Sequence, residues 1–442
     1  MDFLDPKKKR AHHIQLMIGY VLVAIVIGLA TIILVYGANG YGINTKTGQI
    51  VQNGLLFADS QPGGAKIFLN GKEQQSTTAA RLILPSGKYS LKLTKDGYRD
   101  WSRDFTLTEQ SIARYVYPFL FPVKPVAANL KAYSSLPSLI TQSPDRKWLL
   151  VQNNADSTKT LVFDQYDTTT LDQATPVTIS VSVPTDVLTN YTATSKLTEV
   201  EWSSDNVHVL LKHDYGVGTE FIIFNREAPA QSINVDRQLA IVPSQVSLRD
   251  KKTNQLYLYS QDGGLLQLGD VSSKTIAQPI LRDVLAYKPY GKNLITYITA
   301  TGAPMGQVAA RVWDDGKNYK LNEFNAGSTY LIDVAQFQNH FYYADGSDTS
   351  DRINIYKDPL NNIKDPATAK ALPLIALHNP GATKLKFSEN TRFIGTEAGQ
   401  NFAVYDIEGQ ASYQYPLSDQ LAANMSWMDG HRFIGQSNGS VI

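Results

Sequence analysis

The chain has 442 residues, enough for two or three domains at about 100 to 200 residues each. It carries 41 Lys and Arg against 40 Asp and Glu, a net charge of +1, which excludes a generally basic nucleic-acid binder and an acidic disordered tail, since both need a lopsided field. Apolar residues reach 43%, so a substantial core can form, and the lack of cysteine rules out disulfides, thiolate nucleophiles and cysteine-ligated metals.

Charged residues make up only 18%, against about 25% in an average domain, and Ser, Thr, Asn and Gln fill the gap, as on an exported surface. The first predicted element is a membrane span. From Ile14 to Tyr36 there is no Asp, Glu, Lys, Arg or His. A helix of that length reaches about 35 Å, against about 30 Å of bilayer hydrocarbon. Its Leu, Ile and Val residues together favour insertion by about 4 to 8 kcal/mol, which Gln15 and Thr31 do not reverse. A buried core helix of this length would show a polar stripe. Lys7, Lys8, Lys9 and Arg10 precede the span, whereas Lys46 is the only cation in the twenty residues after it. The positive-inside bias therefore leaves residues 1–13 cytoplasmic and exports everything after Tyr36. Ala38 and Gly40 offer the small residues of a cleavage site, but the apolar stretch exceeds a signal-peptide core of about 7 to 15 residues, so an uncleaved anchor is expected. Residues 37–53, rich in Gly, Asn and Thr, read as a flexible stalk.

Residues 54–122 alternate apolar and polar in short runs broken by turn residues. In Lys88-Tyr89-Ser90-Leu91-Lys92-Leu93 the residues Tyr89, Leu91 and Leu93 share one face. Asn70-Gly71 after Ala65-Lys66-Ile67-Phe68-Leu69 is a type I′ hairpin signal, and Pro85-Ser86-Gly87 and Asp96-Gly97-Tyr98 mark further turns. The pattern predicts an all-β, sandwich-like module. Four landmarks, Gln61-Pro62-Gly63-Gly64-Ala65, Asn70-Gly71, Leu84-Pro85-Ser86-Gly87-Lys88-Tyr89 and Asp96-Gly97-Tyr98, resemble those of the PEGA domain in order and spacing, with Gly63 where that family usually has Glu. The resemblance implies an envelope-exposed β module, similar to pieces of surface-layer-associated proteins, and carries over no catalytic residue.

Pro118, Pro122 and Pro125 suggest a stiff connector. From residue 126 to 442 a strand-turn-strand motif recurs, as in Val200-Glu201-Trp202-Ser203-Ser204-Asp205-Asn206-Val207-His208-Val209-Leu210 and Leu385-Lys386-Phe387-Ser388-Glu389-Asn390-Thr391-Arg392-Phe393-Ile394. Its anchor positions are 142, 202, 247, 287, 337, 387 and 427, and a Thr- and Val-rich insertion at about 165 to 195 accounts for the widest gap. A period near 45 with several strands per unit predicts a β-propeller of six to eight blades, because one four-stranded blade cannot bury both faces alone. The repeat resembles TolB-like and WD-type propellers, with no residue roles to transfer. A series of two-layer sandwiches is the alternative. The motif stops inside a blade at Val441-Ile442, so either a strand at about 126 to 135 closes the ring or the sequence is a fragment.

No catalytic, cofactor-binding or metal residue is assigned from sequence. Gly435-Gln436-Ser437-Asn438-Gly439 fits a nucleophile elbow, but the acid and His that must follow it in the chain have no room. Asp345, Asp348 and Asp351 share a Gly- and Ser-containing loop without EF-hand spacing and read as a solvated loop. His208 and His213 are five apart on a predicted strand and so point to opposite faces. Lys46-Thr47-Gly48 and Ser204-Asp205-Asn206 mimic penicillin-binding fragments without the Ser-x-x-Lys that should precede them, and read as turns. Trp202, Trp313 and Trp427 either pack between blades or stack on sugars. The expectation is a membrane-anchored, non-enzymatic envelope protein that binds an envelope protein or cell-wall partner, with no nucleic acid and no cofactor. An enzyme or glycan sensor with its site in the propeller channel is the alternative.

Overall fold

The computed structural model describes residues 6–38, 40–43, 50–124, 129–153, 161–171, 176–189, 195–216, 218–399, 401–416, 421–427, 430, 433–437 and 440–441. The chain forms two compact units, Met1–Ala128 and Asn129–Ile442.

The first unit opens with helix α1, Pro6–Ala38. It begins eight residues before the predicted span, because Lys and Arg are good helix formers wherever the solvent allows their charge. Eight strands follow: β1 Tyr41–Ile43, β2 Ile50–Ala58, β3 Lys66–Leu69, β4 Lys72–Thr77, β5 Ala80–Pro85, β6 Gly87–Thr94, β7 Trp101–Leu107 and β8 Ile112–Tyr115. They make two four-stranded sheets, one with β2 bonded to β1, β5 and β8, the other in the order β4-β3-β6-β7. Between them lies a core of Leu56, Ala58, Ala65, Ile67, Leu69, Leu91, Leu93 and Leu120. Tyr89, Leu91 and Leu93 face inward as their alternation predicts, and Asn70 and Gly71 both take the positive φ of the expected hairpin turn. A Cβ on Gly54 would stand 2.6 Å from Leu107 Cγ, so the close approach of the two sheets requires glycine there.

Two readings change in this unit. The stretch expected to be a stalk contains β1 and the start of β2, paired as Tyr41 with Gln52 and Ile43 with Ile50. Residues 44–49 lie outside the described residues. The proline-rich connector is part of the sandwich: Gln61 N–H donates to the Pro118 carbonyl, Val123 N–H to the Gly97 carbonyl, and Leu120 is buried. Proline fits there because Pro118 bonds through its carbonyl and the N–H donors of the segment, Leu120 and Val123, are not prolines.

The second unit is a β-propeller. Among the described residues, six antiparallel sheets of four strands, each in chain order, are followed by a three-stranded sheet. Their first strands are Ile140–Gln142, Lys196–Trp202, Gln245–Arg249, Val284–Tyr290, Tyr330–Phe337, Lys384–Phe387 and Leu421–Trp427. All seven anchor positions read from the sequence fall on these strands. Each hydrophobic core is shared by consecutive sheets. Phe163 and Val209 pack between the first and second, Leu210 and Leu258 between the second and third, and Tyr259 and Ile295 between the third and fourth. Val312 and Tyr343 join the fourth and fifth, and Ile355 and Ile394 the fifth and sixth. A sandwich series would pair its sheets two by two. Here the second to sixth sheets each pack on both sides, which is why runs such as Phe221-Ile222-Ile223-Phe224 are continuously apolar.

The turns after the first strands link the blades in sequence. Asp145 N–H donates to Asn206 Oδ1 at 3.0 Å, Ser204 N–H to the Lys251 carbonyl at 2.9 Å and Asp250 N–H to the Gly291 carbonyl at 3.1 Å. Arg146 in the first blade's turn pairs with Glu389 in the sixth blade's turn, so the series bends back on itself. The stretch read as an insertion holds the first blade's outer strand, Thr178–Val183. Residues 129–135, expected to contribute a closing strand, form none, and 126–128 lie outside the described residues. Instead Lys131 reaches Asp164 at 2.6 Å and Tyr133 hydroxyl meets that of Tyr166 at 2.6 Å.

Candidate functional site

The apolar part of α1, His13–Gly37, is 25 residues long with a mean hydropathy of 2.9 and no buried residue. It includes the whole predicted stretch from Ile14 to Tyr36. Such a helix is long and apolar enough to cross a membrane. Lys7, Lys8, Lys9 and Arg10 lie in its first turns.

In the propeller, a cleft of about 360 Å³ lies between the fifth and sixth blades beside the seventh. Tyr330 to Ile332 form one wall, Thr383 to Lys386 the other, and Glu397, Phe402 and Trp427 complete it. Antiparallel pairing sets Lys384 opposite Glu397, and the Lys384 ammonium sits 3.2 Å from a Glu397 carboxylate that is only 4% exposed. Trp427 donates Nε1–H to the Lys386 carbonyl at 3.0 Å and stacks on Phe393 with centroids 6.1 Å apart. A Cβ on Gly395 would come within 2.9 Å of Phe402 and 3.2 Å of Trp427, so this ring cluster depends on glycine. The volume suits a small ligand, with a ring to stack on and an ion pair to bond to.

Three further carboxylates are buried in polar nests. Burial raises the Glu220 carboxyl, but His213 Nδ1 at 2.8 Å and donors from Thr189 and Asn234 outweigh it and hold it at about 2. Burial likewise opposes Asp164, whose bonds with Lys131 and Ser180 prevail and lower it. In Asp345 burial prevails over the donors Asn322 and Asn354, each at 3.2 Å, and lifts the carboxyl to about 6.

The remaining sequence candidates are placed as follows. Asp345 lies buried on a strand, Asp348 accepts from Ser328 and from Thr329 just ahead of the fifth blade's first strand, and among the described residues no group of three metal-capable side chains is brought together. Gly435 and Ser437 lie on a strand of a hairpin in which Ser437 pairs with Ser440, while Asn438 and Gly439 lie outside the described residues. His208 bonds Asp205 and His213 bonds Glu220, on opposite faces of one strand. Ser204-Asp205-Asn206 is a turn in which Asp205 accepts the Val207 and His208 N–H groups, and Lys46-Thr47-Gly48 lies outside the described residues. Trp202 is buried and donates to Thr141, Trp313 packs against the core between the third and fourth blades, and Trp427 borders the cleft. The pairing of Lys384 with Glu397 was not read from sequence, because it is set by strand register within the sixth blade. The opposed Lys and Glu on adjacent predicted strands were its only signal.

These features define a chain with a membrane-compatible helix, a small β-sandwich and a propeller. The sandwich is a PEGA domain, matched over residues 53–117. Among curated proteins no relative matches the sequence. Among solved structures, Hsv2p of Kluyveromyces lactis is 9% identical with a TM-score of 0.39, covering 68% of this chain and 89% of that one. Hsv2 of Kluyveromyces marxianus is 13% identical with a TM-score of 0.41, over 69% and 90%. A prolyl endopeptidase is 12% identical with a TM-score of 0.39, over 85% of this chain and 55% of that one.

Proposed function

We propose that the protein is held in the cell membrane by α1, with its N-terminus in the cytoplasm, and displays the PEGA domain and the propeller outside as a binding or scaffold platform for another envelope component, a protein or the cell wall. The observation that carries this reading is the exposed apolar stretch His13–Gly37, which leads within a few residues into β1, the strand paired with β2 at the start of the PEGA domain. Water would leave that surface unfavourably solvated, whereas lipid covers it. A propeller presents a broad rigid rim of turns, suited to holding a partner. The platform works without catalysis. Crosslinking in intact cells, with mass-spectrometric identification of the captured neighbours, tests it. An envelope protein or wall fragment bound to the propeller is expected, and glycan hydrolysis by the purified protein with no captured neighbour would overturn it.

A second reading is favoured by the cleft itself: Trp427 and the Lys384–Glu397 pair suit a small polar ring such as a sugar. Titration with wall-derived saccharides, followed by Trp427 fluorescence against a Trp427→Phe control, tests that reading.

A further inference from the structure

The sheet around β2 turns one face to the core and the other outward. Leu56, Ala58, Leu82, Leu84, Ala113 and Tyr115 point inward, which leaves Leu55, Phe57, Arg81, Ile83, Ile112 and Arg114 outside. Register arranges the outer residues in rows. Leu55 pairs with Ile83 on β5 and with Ile112 on β8, so three aliphatic side chains stand side by side. In the next row Phe57 pairs with Arg81 and Arg114, and the Arg114 guanidinium lies 5.3 Å from the Phe57 ring centre. Ile83 is 66% exposed and Ile112 55%, and Val116 extends the apolar patch. Asp59 is the acid on this side, its carboxylate accepting from the Ser60 N–H. A monomeric module in water gains nothing from a row of exposed isoleucines flanked by arginines.

Two observations say what covers it. First, β1 begins at Tyr41, close after the end of α1 at Ala38, and the rings of Tyr36 and Tyr41 touch with centroids 5.2 Å apart. Tyr41 pairs with Gln52, from which the Leu55 row is three strand residues away, about 10 Å. The face is therefore tied close to the end of the apolar helix. Second, charge is divided along the chain. Residues 50–124 carry ten Lys and Arg against six Asp and Glu, whereas residues 125–442 carry 26 against 32. An anionic headgroup layer attracts the first segment and repels the second, and guanidinium groups bind phosphate with two parallel hydrogen bonds.

We propose that this face rests on the outer leaflet of the membrane that holds α1, with Ile83, Leu55 and Ile112 at the boundary of headgroups and acyl chains and Arg81 and Arg114 on lipid phosphates. The proposal rests on the reading of α1 as a span.

The lack of cysteine makes site-specific labelling direct. The full chain, with a single cysteine at Ile83, Ile112 or Ser90 bearing an environment-sensitive fluorophore, is reconstituted into vesicles of phosphatidylcholine with phosphatidylglycerol that contain a lipid-borne quencher. Ser90 lies on the outer face of the other sheet and serves as the water-exposed control. Blue-shifted, lipid-quenched emission is expected at 83 and 112 and not at 90. Each arginine near an anionic surface contributes about 1 kcal/mol, so replacing Arg81 and Arg114 by Gln should shift the docked-to-undocked ratio about thirtyfold toward undocked. If vesicles float with the protein but probes at 83 and 112 are as exposed as at 90, the docking is refuted and the span stands. Protection that rises with the protein-to-lipid ratio and survives in pure phosphatidylcholine assigns the face to a second copy and also refutes it. Failure of the protein to float with the vesicles removes the span reading, and the proposal with it.

Discussion

Asp345 and Glu220 show how buried carboxylates in one fold take opposite signs of pH dependence. The Asp345 carboxyl, raised to about 6, binds its proton more tightly folded than unfolded, where an aspartate titrates near 3.9. The stability it contributes is present below about pH 4 and is lost as the pH rises through 6, reaching a cost of about 3 kcal/mol at neutral pH. Asp345→Asn should therefore raise the melting temperature at pH 7.5 and leave it little changed at pH 4, as read by thermal melts of the purified protein. Glu220, held at about 2, behaves the other way: its contribution is present above about pH 4.5 and is lost as the pH falls toward 2. Gly395 gives a packing test. Adding a methyl group there meets the Phe402 and Trp427 rings, and Gly395→Ala should destabilise by about 1 to 3 kcal/mol and alter Trp427 fluorescence. The polar nests were not legible in the sequence. Asp345 appeared as one of three acids in a loop, and only its strand placement between Asn322 and Asn354 shows that it is sealed inside.

At the scale of elements, the seams between blades are stitched by carboxylates on first strands. Glu201 accepts the Leu248 N–H at 2.5 Å, joining the second blade to the third, and Asp333 accepts the buried Phe387 N–H at 3.0 Å, joining the fifth to the sixth. Asp333→Ala leaves that N–H without an acceptor and should cost about 1 to 3 kcal/mol, seen as a lower urea midpoint with an unchanged slope and faster amide exchange at Phe387. The first strands themselves were legible, since five of the seven end in an aromatic residue before a polar turn, as Phe387 precedes Ser388-Glu389-Asn390. The outer strand Thr178–Val183 was not: it sits in the stretch read as a Thr- and Val-rich insertion, although Ile179, Val181 and Val183 alternate with polar residues as a half-solvated strand does. Likewise β1 was read as stalk: three residues give too short a pattern, and only pairing with Ile50 to Gln52 makes them a strand.

For the molecule as a whole, the prediction concerns topology. Replacing Lys7, Lys8, Lys9 and Arg10 by Glu removes the cations on which the proposed cytoplasmic N-terminus rests, so under that proposal a reporter at the C-terminus should change from outside to mixed or inside. A reporter that stays fully outside would show that these four residues do not set the orientation. Deleting residues 6–38 should move the protein from the membrane fraction to the soluble one, as read by fractionation.

The amino-acid sequence by itself determined the apolar helix, the alternation that makes the PEGA domain a sandwich and the repeat that makes the remainder a propeller. Each is a local periodicity, and the bilayer, the pleat and the blade read local periodicity directly. Only the tertiary structure decided which blades share a core, that Lys384 meets Glu397 beside Trp427, and that Ile83, Leu55 and Ile112 align in one exposed row. Those contacts join residues far apart in the chain through strand register and blade packing, and neither is written in any single window of residues.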